Sequence, residues 1–226
     1  MATQLGFDLP SRTALGRDAF FVSPSNAVAL AMIDAWESWA GGKLVLTGPV
    51  GAGKTHLTHV WADLSGATIL NARSLETADV PLLAQGHIAV EDVAQIAGDM
   101  AAQTTLFHLH NLTLAEGNRI LFTGSAPVAG WALELPDLVS RLQGTTLAAL
   151  EAPDDTLLTA VLAKLFYDRQ LTPKADVIPY LLARMDRSFA AALEVVAQLD
   201  AASLAQKRAI TRHFAASVLD NRPLKA

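Results

Sequence analysis

Eight consecutive residues, Gly48-Pro-Val-Gly-Ala-Gly-Lys54-Thr55, restrict this chain to few folds. They match G-x-x-x-x-G-K-[ST] in full, between an apolar run at Lys43–Thr47 and a segment from Thr55 to Leu64 that reads as a helix. Glycines let the backbone curl so that successive N–H groups point at a phosphate, and the helix that follows adds its positive end. Lys54 is placed to reach β- and γ-phosphates, and the Thr55 hydroxyl to hold Mg²⁺. A chance glycine-rich turn rarely sits so neatly between a strand and a helix. The candidate nucleotide-binding residues are therefore Gly48, Pro49, Gly51, Ala52, Gly53, Lys54, Thr55 and His56, with ATP or ADP and Mg²⁺ as cofactors.

A phosphate loop of this kind calls for an apolar strand ending in acid, and His87-Ile-Ala-Val-Glu91-Asp92 supplies it. One carboxylate, Glu91, would orient the metal shell together with Thr55, and Asp92 beside it would polarise an attacking water. Ala67–Leu70, Arg119–Thr123 and Thr145–Leu150 are further strand candidates. Helical patterns lie between them, at Ala27–Trp39, Asp99–Glu116 and Leu138–Leu142. Alternation of this kind predicts an α/β unit with a mostly parallel sheet.

The pattern changes at Glu151-Ala-Pro-Asp-Asp155, where Pro and two Asp residues suit a linker and a helix start. Beyond it Asp154–Arg169, Pro173–Met185, Ser188–Ala201 and Thr211–Leu219 all read as helices. The expected organisation is a tail over 1–16, an α/β nucleotide-binding base over 17–150 and a small helical lid over 151–226.

Composition removes several function classes. No cysteine is present, so a disulfide framework, a thiol nucleophile and a thiolate metal site are excluded, and a cytoplasmic address fits. No window holds eighteen uninterrupted apolar residues, which argues against a membrane span. The start of the chain lacks a basic stretch followed by an apolar one, which argues against a secretory signal. A net charge of −5 argues against nucleic acid as the main partner. His56 and His59 lack an evident third metal ligand, and the tryptophans read as packing residues.

Several separate stretches together resemble the DnaA/Hda branch of the AAA+ ATPases, over nearly the whole chain. They are Phe21-Val-Ser-Pro-Ser-Asn26, Thr105-Leu-Phe-His-Leu-His-Asn111, Arg119-Ile-Leu-Phe-Thr-Gly-Ser125 and Leu135-Pro-Asp-Leu-Val-Ser-Arg141-Leu142. The resemblance implies an AAA+ base with a helical lid and places Phe21 and Val22 beside the adenine. It also makes Arg119–Ser125 the sensor 1 strand. Arg141, by spacing alone a surface arginine on an amphipathic turn, becomes an arginine finger aimed at the nucleotide of a neighbouring subunit.

Three departures from the family pattern surround the γ-phosphate position. Glu91-Asp92 stands where DnaA-type proteins carry an Asp pair, and Gly124-Ser125 where they end in Ser-Asp. Ala190 falls at the sensor 2 arginine, with Arg187 one helical turn earlier as a substitute. Together they predict tight nucleotide binding, weak or absent intrinsic hydrolysis and a preference for ADP. The chain ends at Ala226 without the helix-turn-helix domain that follows the DnaA lid, so sequence-specific DNA recognition is not expected.

At the other end, Gln4-Leu-Gly-Phe-Asp-Leu9 is similar to the Q-L-x-L-x-L peptide with which the regulatory members of this branch and many other proteins enter the hydrophobic cleft of the bacterial sliding clamp. Gln4 would set the register, and Leu5, Phe7 and Leu9 would fill the pockets. The resemblance thus implies the sliding clamp and DnaA as partners, leaves a homodimer open, and implies donation of Arg141 to DnaA-bound ATP in trans, which limits replication initiation. The alternatives are a free-standing AAA+ ATPase acting as helicase loader or remodeller and, with least support, a metabolic kinase.

Overall fold

The computed structural model describes residues 21–220. The tail motif at Gln4, Leu5, Phe7 and Leu9 lies outside the described residues.

Five parallel strands form one sheet: β1 (Lys43–Thr47), β2 (Thr68–Asn71), β3 (Ile88–Glu91), β4 (Ile120–Gly124) and β5 (Leu147–Ala149), in the spatial order β2-β3-β4-β1-β5. A parallel sheet is covered on both faces, so its strands read as continuous apolar runs. Alternate residues of those runs enter different cores. Val45, Ile88, Val90, Ile120 and Phe122 face α4 (Met100–Ala115) and α5 (Pro136–Gln143). Leu44, Leu46, Ala89, Leu121 and Ala148 face α1 (Ala27–Asp34) and α2 (Lys54–Ser65). A four-residue helix, α3 (Val80–Leu83), packs beside the first of these cores.

Four more helices follow: α6 (Asp155–Asp168), α7 (Val177–Leu182), α8 (Phe189–Gln206) and α9 (Arg212–Asp220). They share a core of their own, which includes Leu158, Leu162, Phe166, Leu181, Val195, Val196, Leu199 and Phe214. Asp154 caps α6 by accepting from the Leu157 N–H at 2.7 Å, and Ser188 caps α8 by accepting from the Ala191 N–H at 3.1 Å.

The apolar pattern at Ala27–Trp39 predicts one helix, but α1 ends at Asp34 and a separate 3₁₀ turn occupies Trp36–Ser38. The Trp39 indole N–H turns back to donate to the Met32 carbonyl at 2.7 Å, while its ring stacks on Trp61 at 5.0 Å. Packing of the two tryptophans overrides the local helical preference.

Candidate functional site

All strands of the sheet are parallel, so their C-terminal ends share one edge, where ligands of open α/β sheets gather. The loop from Gly48 to Gly53 leaves β1 at this edge and enters α2 at Lys54. Gly51 and Gly53 hold φ of +78° and +98°, values that side chains with a Cβ rarely adopt. Gly48 is needed for space: a Cβ there would come 2.7 Å from the Leu150 carbonyl oxygen. Ala52 is buried and packs in the α1–α2 core, whereas Pro49 and Thr55 are exposed and His56 is half-buried.

Lys54 is 9% exposed, and its ammonium donates to the carbonyls of Gly48 at 2.7 Å and Pro49 at 3.1 Å. Burial pulls its pKa below the ordinary lysine range, against the carboxylates of Asp92 and Glu91, which favour the charged form. Glu91 ends β3 and Asp92 follows it, and the register sets Val90 opposite Phe122 and Thr47 opposite Gly124, so Glu91 and the phosphate loop reach the same edge with β4 between them. Glu91 keeps one buried carboxylate oxygen with no hydrogen-bond partner among the described residues. Asp92 adopts φ +56°, ψ +48°, a left-handed conformation costly for a residue other than Gly. Its N–H donates to the Thr123 hydroxyl at 3.0 Å, and its Oδ2 accepts from the Gln95 amide at 3.3 Å. Thr123 is 1% exposed near the end of β4, and no pattern in the sequence singled it out.

An unpartnered buried carboxylate oxygen, a glycine-built loop and an ammonium beside it form a donor set that fits a nucleoside polyphosphate with Mg²⁺. The first residues of α8 complete the surroundings. The Phe189 N–H donates to the Gly51 carbonyl at 3.1 Å, and a Cβ on Gly53 would lie 2.9 Å from the Phe189 ring. Ala190, in this same first turn, has no polar side chain to offer. Arg187 is ion-paired with Asp155 at 2.9 Å, both side chains exposed. Phe21 and Val22 are exposed at the head of a segment folded by Asn26, which accepts from the Ser23 N–H at 2.9 Å and donates to the Phe21 carbonyl at 2.8 Å. The Ser25 carbonyl accepts from the Glu151 N–H, which places this segment beside the Leu150 that packs on Gly48.

Arg141 is not part of this constellation. It is exposed in the last turn of α5, and its carbonyl accepts from the Lys43 ammonium at 2.9 Å. Lys43 is the first residue of β1, and the phosphate loop follows the last. Arg141 is therefore anchored at the opposite edge of the sheet, about 13 Å along the strand.

A family model described as "Hda, lid domain" matches residues 155–219. Among solved structures, domain III of the Thermotoga maritima replication initiation protein DnaA has a TM-score of 0.80 at 19% identity, over 97% of this chain and 98% of that one. AMPPCP-bound DnaA from Aquifex aeolicus has a TM-score of 0.67 at 20% identity, over 84% of this chain and 64% of that one. Thermotoga maritima RuvB has a TM-score of 0.70 at 12% identity, over 87% and 68%. No helix among the described residues is long and apolar enough to cross a membrane.

Proposed function

This chain has the AAA+ fold and its residues 155–219 match the Hda lid-domain model, and from this premise we propose that it is a nucleotide-binding regulator of DnaA. In this reading the Gln4–Leu9 segment tethers it to the sliding clamp, and Arg141 is lent to ATP held by DnaA. Hydrolysis there ends the initiating state of DnaA and limits replication initiation.

One observation carries the reading: Arg141 is rooted at the edge of the sheet opposite its own phosphate loop. An arginine side chain spans about half of that ~13 Å strand length. A cation so placed serves a nucleotide bound elsewhere, and its rigid fork suits developing phosphate charge.

The chain's own site then serves as a structural nucleotide site. Gly48, Gly51 and Gly53 shape the loop, Lys54 and Thr55 hold phosphate and Mg²⁺, Glu91 orients the metal shell, and Asp92 stands beside it. Phe21 and Val22 flank the base. Bound Mg²⁺ would neutralise phosphate charge. Little hydrolysis is expected, because Ala190 offers no cation, and Arg187, the candidate substitute, pairs with Asp155. These features favour ADP as the retained nucleotide.

The test mixes the purified chain with clamp, DNA and DnaA–ATP. Arg141→Ala is expected to lower stimulated hydrolysis about 10³-fold while leaving ADP binding intact. Stimulation at the wild-type rate by Arg141→Ala would overturn the finger. A clamp pull-down comparing the full chain with one lacking residues 1–10 tests the tether. The complete phosphate loop and Glu91-Asp92 pair favour a second reading, a free-standing helicase loader or remodeller, and rapid steady-state ATP turnover without partners would support it.

A further inference from the structure

Lys43 and Arg141 lie 98 positions apart in sequence and meet at the edge of the sheet away from the phosphate loop. A helix leaves its last four carbonyls without intrahelical partners. In α5 the Arg141 carbonyl is one of these, and it receives two donors, the Lys43 ammonium at 2.9 Å and the Thr145 hydroxyl at 2.8 Å. The neighbouring carbonyls are also paired: Ser140 accepts from the Gly144 N–H at 3.1 Å and Leu142 from the Thr145 N–H at 3.0 Å. The turn that carries Arg141 is thus fastened to β1 through Lys43 and to the bend that leads into β5 through Thr145.

The arrangement has an electrostatic cost. Burial and the nearby Arg141 guanidinium both push the Lys43 pKa below its usual value. The buried His110 on α4 is pushed down as well, by burial first and by Lys43 and Arg141 with it. A lysine placed next to another cation gains nothing from that neighbour. Its favourable contacts are the carbonyl and the negative end of the α5 dipole. Meanwhile the Arg141 side chain forms no ion pair among the described residues.

We propose that Lys43 is a positioning residue for Arg141, locking the last turn of α5 so that the guanidinium is presented in one orientation to the nucleotide of a neighbouring subunit. The inference rests on the reading of Arg141 as a finger acting in trans. β1 suits the anchoring role, because it is an interior strand between β4 and β5 and its Leu44, Val45 and Leu46 are fully buried. A group that stabilises transition-state charge must sit within a fraction of an ångström of its place, and a 1 Å error can cost about 100-fold in rate.

The experiment measures stimulated hydrolysis of DnaA-bound ATP against concentration of the full chain with clamp and DNA present, together with amide exchange of Gly144 and Thr145. Lys43→Met, which keeps the apolar stem but has no donor, is expected to lower the maximal rate about 10- to 100-fold. The concentration for half-maximal stimulation should stay within about twofold, and exchange of the two amides should speed up. Lys43→Arg, which restores a donor, should recover most of the rate. Thr145→Val, which removes the second donor, provides an independent variant and should show a smaller loss of the same kind. Wild-type stimulation by both Lys43→Met and Thr145→Val, with Arg141→Ala inactive, would overturn the positioning role and leave the finger standing. A raised half-maximal concentration with an unchanged maximal rate would assign Lys43 to docking instead and overturn it too. Wild-type stimulation by Arg141→Ala would remove the finger and the inference together.

Discussion

The backbone N–H of Phe189 donates to the carbonyl of Gly51 at 3.1 Å, so α8 begins on the phosphate loop. The loop after β1 and the first turn of α8 meet directly, through this bond and through the Phe189 ring packed beside Gly53. Neither residue type announces the contact.

Gly51→Ala should therefore fail twice. The new Cβ would collide with the Ser188 side chain, and the φ of +78° is strained for Ala. Overpacking of this kind costs about 1–3 kcal/mol. Calorimetry should show ADP affinity weakened at least about tenfold, together with a lower unfolding temperature. Affinity equal to wild type would mean that the loop does not cradle the phosphates in this form.

Thr123→Val tests the link between the strand ends. It preserves shape but removes the acceptor for the Asp92 N–H, whose residue is already held at φ +56°. Leaving a part-buried N–H without a partner costs about 1–3 kcal/mol. Denaturant unfolding should show that loss, and Mg²⁺-dependent tightening of nucleotide binding should weaken because the Glu91-Asp92 turn loses its tie to β4. Unchanged stability would show that the turn is held by other contacts.

The phosphate loop was legible because its information is contiguous: eight adjacent residues set their own backbone shape, and the apolar runs on either side announce a strand and a helix. The parallel α/β layout follows from alternation of those runs, and the sheet realises it. What escaped depends on register and packing. Thr123 meets Asp92 only because β4 lies beside β3, and Lys43 meets Arg141 only because α5 returns beneath β1. Trp39 breaks the helix predicted over Ala27–Trp39 through a tertiary stack on Trp61, which no local propensity contains.

Two histidines make stability depend on pH. His87 Nδ1 accepts from the Arg119 N–H at 2.9 Å, a bond that needs the unprotonated nitrogen. Burial first, then Arg119, holds its pKa below the ordinary histidine value of 6.5. His110 is shifted the same way by burial, with Lys43 and Arg141 adding to it and the Asn111 hydrogen bond opposing. Below the unfolded value of about 6.5 the unfolded chain binds more protons than the folded one. The stabilisation is thus complete above that value and declines as pH falls through it towards the lowered folded pKa values. Scanning calorimetry should show a level unfolding temperature from about pH 8 to 7 and a decline from about 6.5 to 5. His87→Asn combined with His110→Gln should flatten that decline, and a slope as steep as wild type would assign it to other groups.

Gly124, the last residue of β4, gives a sharp test of packing at the end of that strand. Ser125 follows it. A Cβ at 124 would come 2.5 Å from Cε2 of Trp131, whose ring is 1% exposed and whose indole N–H donates to the Ala126 carbonyl at 2.6 Å. The glycine and the tryptophan are one packing unit. Gly124→Ser alone should destabilise the fold by about 1–3 kcal/mol through overpacking. Trp131→Leu alone should cost a similar or larger amount by opening a cavity. The double substitution should cost less than the sum, because the smaller ring position makes room for the serine, with a coupling of about 0.5–3 kcal/mol in a double-mutant cycle. Strict additivity would separate the two residues and leave the glycine without a packing explanation.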